Sequence, residues 1–386
     1  MNFWREYHRS PLFDESAVAG VHLIELLESL SRFPNHSANY FSRMNESIEF
    51  LPEGWRDAAA LIFSRTVYLP HDFLNDALVY LWNAARRRLR IENTPRAIGE
   101  ACHFFEVDPS GMLENFVHHN RIHQRLHPDY YARIFDVNAL ASSLSLFVCD
   151  EEQLRPQAAR DLLMLGRKDY WLNLSDKVLS GQSLISDLDR YLLFRKMLAE
   201  AIGKSPRIVV LAQVITQDAL HKLQDHVDKD LFNVADCVYA FKLGDELKVG
   251  SKACNLYRTD EQREMILAFC KWFADTFILP DDRFDTMRKK SNGDMSLGYR
   301  QSGLYYVDSS NSPTNSLPSI WYENLSLTDG ERKGMPRYRG PYPRVHSRMG
   351  AQLVKPSPAS AWEILEQEHY SKIVENLREY NRAARG

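Results

Sequence analysis

Disulfide chemistry is the first thing this sequence lacks. Its 386 residues hold five cysteines, Cys102, Cys149, Cys237, Cys254 and Cys270, and no C-x-x-C pair. An odd, dispersed set argues for reduced thiols in a reducing cytoplasm rather than a disulfide framework. Long apolar runs are missing too. None approaches the roughly 18 residues that a membrane span needs. The opening stretch "MNFWREYHRSPLFDES" carries charges throughout and has no apolar h-region, so it is not expected to be a secretory signal. Positive charge is not in excess: 48 Lys and Arg face 51 Asp and Glu, for a net charge of -3. That excludes a global basic field for nucleic acid and confines any such contact to a local patch. There is no internal repeat and no low-complexity block.

What is present suits a globular chain of two or three domains, or one domain with large additions. Hydrophobic residues make up 44% and charged residues 26%, enough for a sizeable core under an ordinary surface. Residues 16–103 read as helical. "SAVAGVHLIELLESLSRF" repeats apolar residues at helical spacing, and "PEGWRDAAALIFSRTVYLP" and "HDFLNDALVYLWNAARRRLRI" do the same. Arg86, Arg87 and Arg88 suit a helix C-terminus better than a nucleic-acid patch. In "FVHHNRIHQRLHP", His119, His123 and His127 fall on one helical face. They leave open a metal site, a nucleotide contact or plain structure; no nearby acid or cysteine completes a ligand set.

After Lys168 the texture alternates. "YWLNLSD" reads as a strand, "GQSLISDLDRYLLFRKMLAEAI" as a helix and "RIVVLAQVIT" as a buried strand. "QDALHKLQDHV" is the next helix and "ADCVYAFKL" the third strand. Such a βαβαβ run predicts a parallel sheet. Asp176 closes the first strand, and Ser180, Gly181, Gln182 and Ser183 precede the helix. A helix N-terminus of this kind offers free backbone N–H groups to an anion, and an acid beside it suits a sugar phosphate. The plainer alternative is a capped helix, with Ser180 or Ser183 as the cap.

"TDEQREMILAFCKWFADTF" predicts a helix begun by Thr259. In "LGYRQSGLYYVDSSNSPTNSLPSIWYENL", "LYYVD" and "SIWY" read as short strands around an irregular loop with Asn311, Pro313, Asn315 and Pro318. "ERKGMPRYRGPYPRVHSR" interleaves six basic residues with Tyr338 and Tyr342. "PSPASAWEILEQEHYSKIVENLREYNRAAR" predicts a long terminal helix with Ile373 and Leu377 on its apolar stripe.

Four ordered elements give the sequence a family likeness: "LPEGWRDAAALIFSRTVYL", "SDKVLSGQS", "VVLAQVIT" and "LGYRQSGLYYVDSSNSPTNSLPSIW". Together they resemble the phosphoribosyltransferase-like proteins of bacterial conflict, or anti-phage, systems. The last is the most specific. The resemblance implies an α/β fold: a phosphoribosyltransferase-like parallel sheet core in residues 106–350, a helical N-terminal region in residues 1–105 and a C-terminal helix in residues 351–386.

It further implies that Leu179, Ser180, Gly181, Gln182 and Ser183 hold a 5-phosphate. Gly181 would let the backbone approach that phosphate closely. Family members usually place two acids before this loop, to grip ribose hydroxyls and, through magnesium, assist departure of pyrophosphate. Here the pair reads Ser175-Asp176, with Lys177 next, so Asp176 alone would contact the hydroxyls and any substrate-borne magnesium. The loop from Asn311 to Asn315 would line the opposite wall, and Tyr299 and Trp321 would either stack on a base or serve as core aromatics. Arg337, Arg339, Arg344 and Arg348 would hold polyphosphate or a nucleic-acid backbone.

The expected function is that of a cytoplasmic toxin effector of defence, acting on the ribosyl (N-glycosidic) bond of a nucleotide or nucleic acid, with phosphoribosyl pyrophosphate or a related ribose phosphate as substrate. The alternative is a catalytically degenerate nucleotide- or nucleic-acid-binding module. Expected partners are an ATPase or a reverse transcriptase, as in a retron, with no membrane.

Overall fold

A computed structural model of the chain describes residues 34–106, 112–122, 156–227, 237–309, 313–343 and 369–384. The main elements run α1 (Pro34–Glu49), α2 (Glu53–Arg65), β1 (Val67–Leu69), α3 (His71–Leu89), α4 (Pro95–Ala101), β2 (Cys102–Glu106), α5 (Met112–His119), α6 (Pro156–Gly166) and β3 (Tyr170–Val178). They continue with α7 (Gln182–Ile202), β4 (Arg207–Thr216), α8 (Gln217–Val227), β5 (Cys237–Leu243), α9 (Asp260–Phe273), β6 (Tyr306–Asp308), α10 (Pro318–Trp321) and α11 (His369–Ala383). The fold is mixed α/β with parallel strands. Contacts divide it into two compact units, the first comprising Met1–Phe73 with Leu243–Ser347 and the second Leu74–Lys242 with Arg348–Gly386.

The second unit is built on a sheet of order β2-β3-β4-β5. β2, β3 and β4 are parallel, in a register that sets Phe105 beside Asn173 and Asn173 beside Val210. β4 is β-branched and apolar along "RIVVLAQVIT" and buried at every position after Arg207, as an inner parallel strand must be. Helix α7 links β3 to β4 because parallel neighbours need a crossover. Gly203, at φ 77°, ends it. On one face of the sheet Trp171, Val210 and Ala212 pack with Leu162 of α6, Leu188 of α7 and Ile373 and Leu377 of α11. On the other, Phe104 meets Trp82 of α3 and Phe116 of α5 at ring distances of 5.6 and 5.7 Å. Both Ile373 and Leu377 are fully buried within this unit. The apolar stripe of the terminal helix therefore packs inside the chain, where each side chain contributes about 1.5–3 kcal/mol.

In the first unit β1 and β6 pair in parallel. Thr259 caps α9 by accepting the Gln262 N–H, as its sequence predicts. The helix then widens into a π turn at Ala274–Ile278. Phe273 packs on Phe277 with tilted rings at 4.6 Å and meets Tyr338 edge-on at 4.8 Å, the centre of an aromatic core.

Several expectations are corrected. The stretch read as all-helical contains β1 and β2. "SIWY" is not a strand: Pro318 opens a short helix, as proline does at a first helical position. The histidine face is broken because α5 ends at His119 and Arg121 turns to φ 53°; His123 and His127 lie outside the described residues. The described part of the terminal helix starts at His369. Among the described residues no helix is long and apolar enough to cross a membrane. The four described cysteines are free. Burial pushes the thiols of Cys102, Cys237 and Cys270 up to about 12, which makes them inert packing groups.

Candidate functional site

Ligands of open parallel sheets collect beyond the C-terminal strand ends. At that edge of the second unit, β3 runs into the turn Leu179–Gly181 and α7 begins. The helix N-cap is Gly181, at φ 71° and ψ -16°, which brings no side-chain cap of its own. Ser180 is not the cap residue, because the left-handed glycine takes the cap position itself. The first-turn N–H groups have no partner within the helix, and no acid in that turn opposes an anion. Leu179 is buried, Ser180 half-buried and Gln182 exposed; Ser183 contributes its backbone to the first turn.

The turn is pinned from below. The Thr216 hydroxyl, at the end of β4, donates to the Leu179 carbonyl at 2.7 Å and accepts the Ala219 N–H at 3.1 Å. The Lys222 ammonium donates to the Ser180 carbonyl at 3.3 Å. A Cβ at Gly181 would meet Ala219 Cα at 3.3 Å. The glycine thus answers both to its positive φ and to packing on α8.

Asp176 lies two residues before the strand end. Its side chain is 38% exposed, its Oδ1 accepts the Lys177 N–H at 2.6 Å, and the Lys177 ammonium stands 3.8 Å from Oδ2. Ser175, in the place of the first acid, donates its hydroxyl to Asn173 Oδ1 at 2.8 Å. Asn173 is fully buried, and its Nδ2 has no partner.

Two further acids at strand ends escaped the sequence reading. Glu106, closing β2, accepts the Met112 and Leu113 N–H groups at 3.2 Å each, so it caps α5. Asp308, closing β6 in the first unit, is buried and accepts the Tyr306 hydroxyl at 2.7 Å. Burial, reinforced by the Asp308 charge, pushes the Tyr68 phenol up. The available signal was an acid directly after an apolar strand, "CHFFE" and "YYVD".

The structure places Asp176 on β3, just ahead of the Leu179–Ser183 turn. It places Tyr299, Asn315, Trp321, Arg337 and Arg339 in the other unit. Arg300 lies over the Tyr299 ring at 5.5 Å. Asn315 Nδ2 donates to Ser302 Oγ at 2.8 Å. Trp321 is 1% exposed, packs on Phe284 at 5.5 Å and donates its indole N–H to the Ser316 carbonyl. An enclosed ring offers no face to a base, so Trp321 is a core residue rather than a stacking one. Beside it, burial would raise the Asp281 carboxyl, but hydrogen bonds from Arg283 and Tyr322 outweigh burial and hold it below the usual range. Arg337 and Arg339 are exposed. Asn311, Arg344 and Arg348 lie outside the described residues. Among the described residues no group of three or more His, Cys, Asp or Glu side chains is arranged to hold a metal.

A family model described as PRTase-CE matches residues 51–329, most of the chain. No curated protein and no solved structure matches it.

Proposed function

We propose, from the premise that this chain belongs to the PRTase-CE family, that it is a phosphoribosyltransferase-like effector acting on the ribosyl bond of a nucleotide or nucleic acid. One observation carries the reading: a strand bearing Asp176 leads directly into a helix whose N-cap is left-handed Gly181. The N–H groups of the first turn hold a 5-phosphate. Asp176 accepts from ribose hydroxyls and opposes positive charge developing at the anomeric carbon as the bond from C1 to its leaving group breaks. A nucleophile, water or an acceptor nitrogen, then takes the same carbon.

Magnesium fits poorly as a resident of this site. Asp176 is the carboxylate this reading places beside the ribose, and the Lys177 ammonium already stands 3.8 Å from it. A cation would have to arrive on the substrate's own oxygens, and no step is routed through one. Phosphoribosyl pyrophosphate, or a related ribose phosphate, is the substrate class that suits a phosphate cradle beside a hydroxyl-binding acid. A defence role in the cytoplasm, beside an ATPase or reverse transcriptase, belongs to the same proposal.

The second reading, a nucleotide-binding module without catalysis, is favoured by Ser175. Its hydroxyl is turned onto Asn173 within the strand, leaving half of the usual acid pair. One substitution separates the two. Asp176→Asn keeps shape and hydrogen bonding but removes the charge. In an effector enzyme it lowers the rate of ribosyl release, followed by mass spectrometry of nucleotides and tRNA after induced expression, by about a hundredfold or more. Full activity of the folded variant ends the enzyme reading.

A further inference from the structure

The second unit carries a cleft of about 570 Å³ at the opposite edge of its sheet. Glu100 and Lys168, which line it, stand just ahead of β2 and β3, whereas the Leu179–Gly181 turn follows β3. β3 has nine residues; at a rise of about 3.3 Å per residue, roughly 30 Å separates the two places.

Three cations line the cleft: Arg160, Arg167 and Lys168. Each is bonded to a neutral acceptor. Arg160 Nε donates to the Tyr380 hydroxyl at 3.2 Å, Arg167 Nη2 to Asn381 Oδ1 at 3.0 Å, and Lys168 Nζ to the Gly99 carbonyl. One N–H per cation is engaged in this way, and guanidinium and ammonium groups have others to give. Glu100, the acid of the lining, pairs with Arg96 at 2.7 Å. Lys168 is 4% exposed, and burial pulls its ammonium below the ordinary value, a fall that the nearby charges of Glu100 and Asp169 offset only in part. A buried cation bonded to a carbonyl is a costly arrangement that a bound anion relieves. The rest of the wall is apolar, with Leu163 and Met164 from α6 and Ala383 from the end of α11.

We propose that this cleft is a second ligand site, one that takes a nucleotide-sized organic phosphate. Its phosphates rest on Arg160, Arg167 and Lys168, and its base lies along Leu163, Met164 and Tyr380. The volume falls in the range of small-molecule pockets, and the guanidinium forks suit phosphate oxygens. The site stands apart from the ribosyl chemistry proposed above and does not depend on it.

Hydrogen–deuterium exchange of the full chain with ADP tests this. ADP is expected to slow exchange, saturably, in peptides covering residues 160–168 and 380–384. The double variant Arg160→Gln/Arg167→Gln changes two exposed side chains and is expected to weaken the effect about tenfold or more, the loss of charge-assisted hydrogen bonds. Tyr380→Phe keeps the ring and is expected to weaken it less. Asp176→Asn leaves the protection of these peptides unchanged, whatever it does to activity. No slowing at millimolar ADP overturns the proposal. So does slowing that survives the double variant, and so does protection by an octaglutamate peptide but not by ADP, which would mark a protein-docking patch instead.

Discussion

Gly181 and Gly298 both hold a positive φ, 71° and 82°, inside quoted motifs of the sequence. Around Gly298, in the first unit, the chain is closed on itself. A Cβ there would lie 2.5 Å from the Ser316 carbonyl and 3.0 Å from that of Thr314. Tyr299 N–H reaches Thr314 O at 2.8 Å, and Leu317 N–H reaches Leu304 O at 2.8 Å. The Trp321 indole closes on Ser316 O. Around Gly181 the packing is looser, with Ala219 at 3.3 Å, and the glycine brings the helix that follows no side-chain cap of its own. In the strongly patterned segment "LGY…NSLPSIW" these donors lock the chain onto itself. The loosely patterned "SGQS" is the segment proposed above to meet a phosphate. Sequence specificity here follows packing demand, while room for chemistry lies where the pattern is weakest.

Breaking the lock has the largest expected effect. Gly298→Ala meets both left-handed strain and a backbone oxygen that cannot rotate away. The two together cost about 3 kcal/mol or more. Denaturant unfolding measures it; a loss under about 1 kcal/mol removes the lock from the comparison.

Thr216→Val comes next. It removes the hydroxyl that joins β4 to the Leu179–Gly181 turn and orphans the Leu179 carbonyl and the Ala219 N–H. Leaving such groups unsatisfied costs about 2 kcal/mol. The same loosening of the turn is expected to weaken ribose 5-phosphate binding in calorimetry. Stability lost without any change in affinity would mean that the turn binds nothing.

How far the fold could be read from residues depended on where its signals come from. β3, α7, β4 and α8 announce themselves, because a buried parallel strand is nearly all apolar and each element is bounded by polar or glycine residues. "QDALHKLQDHV" and "RIVVLAQVIT" are α8 and β4 to the residue. β2 was illegible because Cys102 follows Ala101 of α4 with no breaker between them. β1 has three residues, too few for a period. α10 was misread because Ile320 and Trp321 favour strands locally while tertiary packing decides the outcome. At the site, Asp176 and its turn could be named from sequence. The structural duties of Glu106, Asp308 and Trp321 could not, since they come from long-range burial.

The basic segment supplies a smaller effect. If Arg337 and Arg339 each contact a phosphate of single-stranded nucleic acid, Arg337→Ala/Arg339→Ala flattens the plot of log affinity against log salt by about 1.4. At physiological salt that is roughly a tenfold loss. Gel shifts across a salt series read it, and an unchanged slope removes these two residues from any nucleic-acid surface.

Gly181→Ala gives the smallest effect and the sharpest test of the comparison. Sequence alone suggested that this glycine clears space for a phosphate. The geometry gives it a different task, since the missing Cβ would face Ala219 of α8 rather than the open helix end. An alanine methyl at φ 71° carries about 1 kcal/mol of backbone strain. The contacts of 3.3 to 3.5 Å are tight but can be relieved by a small shift of α8. Stability is therefore expected to fall by about 1 kcal/mol, a few degrees in melting temperature for a unit of this size. Ribose 5-phosphate affinity is expected to fall by about threefold at most, since the first-turn N–H groups keep their direction. A hundredfold loss of affinity with the same modest loss of stability would place the Cβ in the ligand's path. Gly181 would then be a binding residue in the full sense, and its difference from Gly298 would lie in what approaches it rather than in how loosely it is packed.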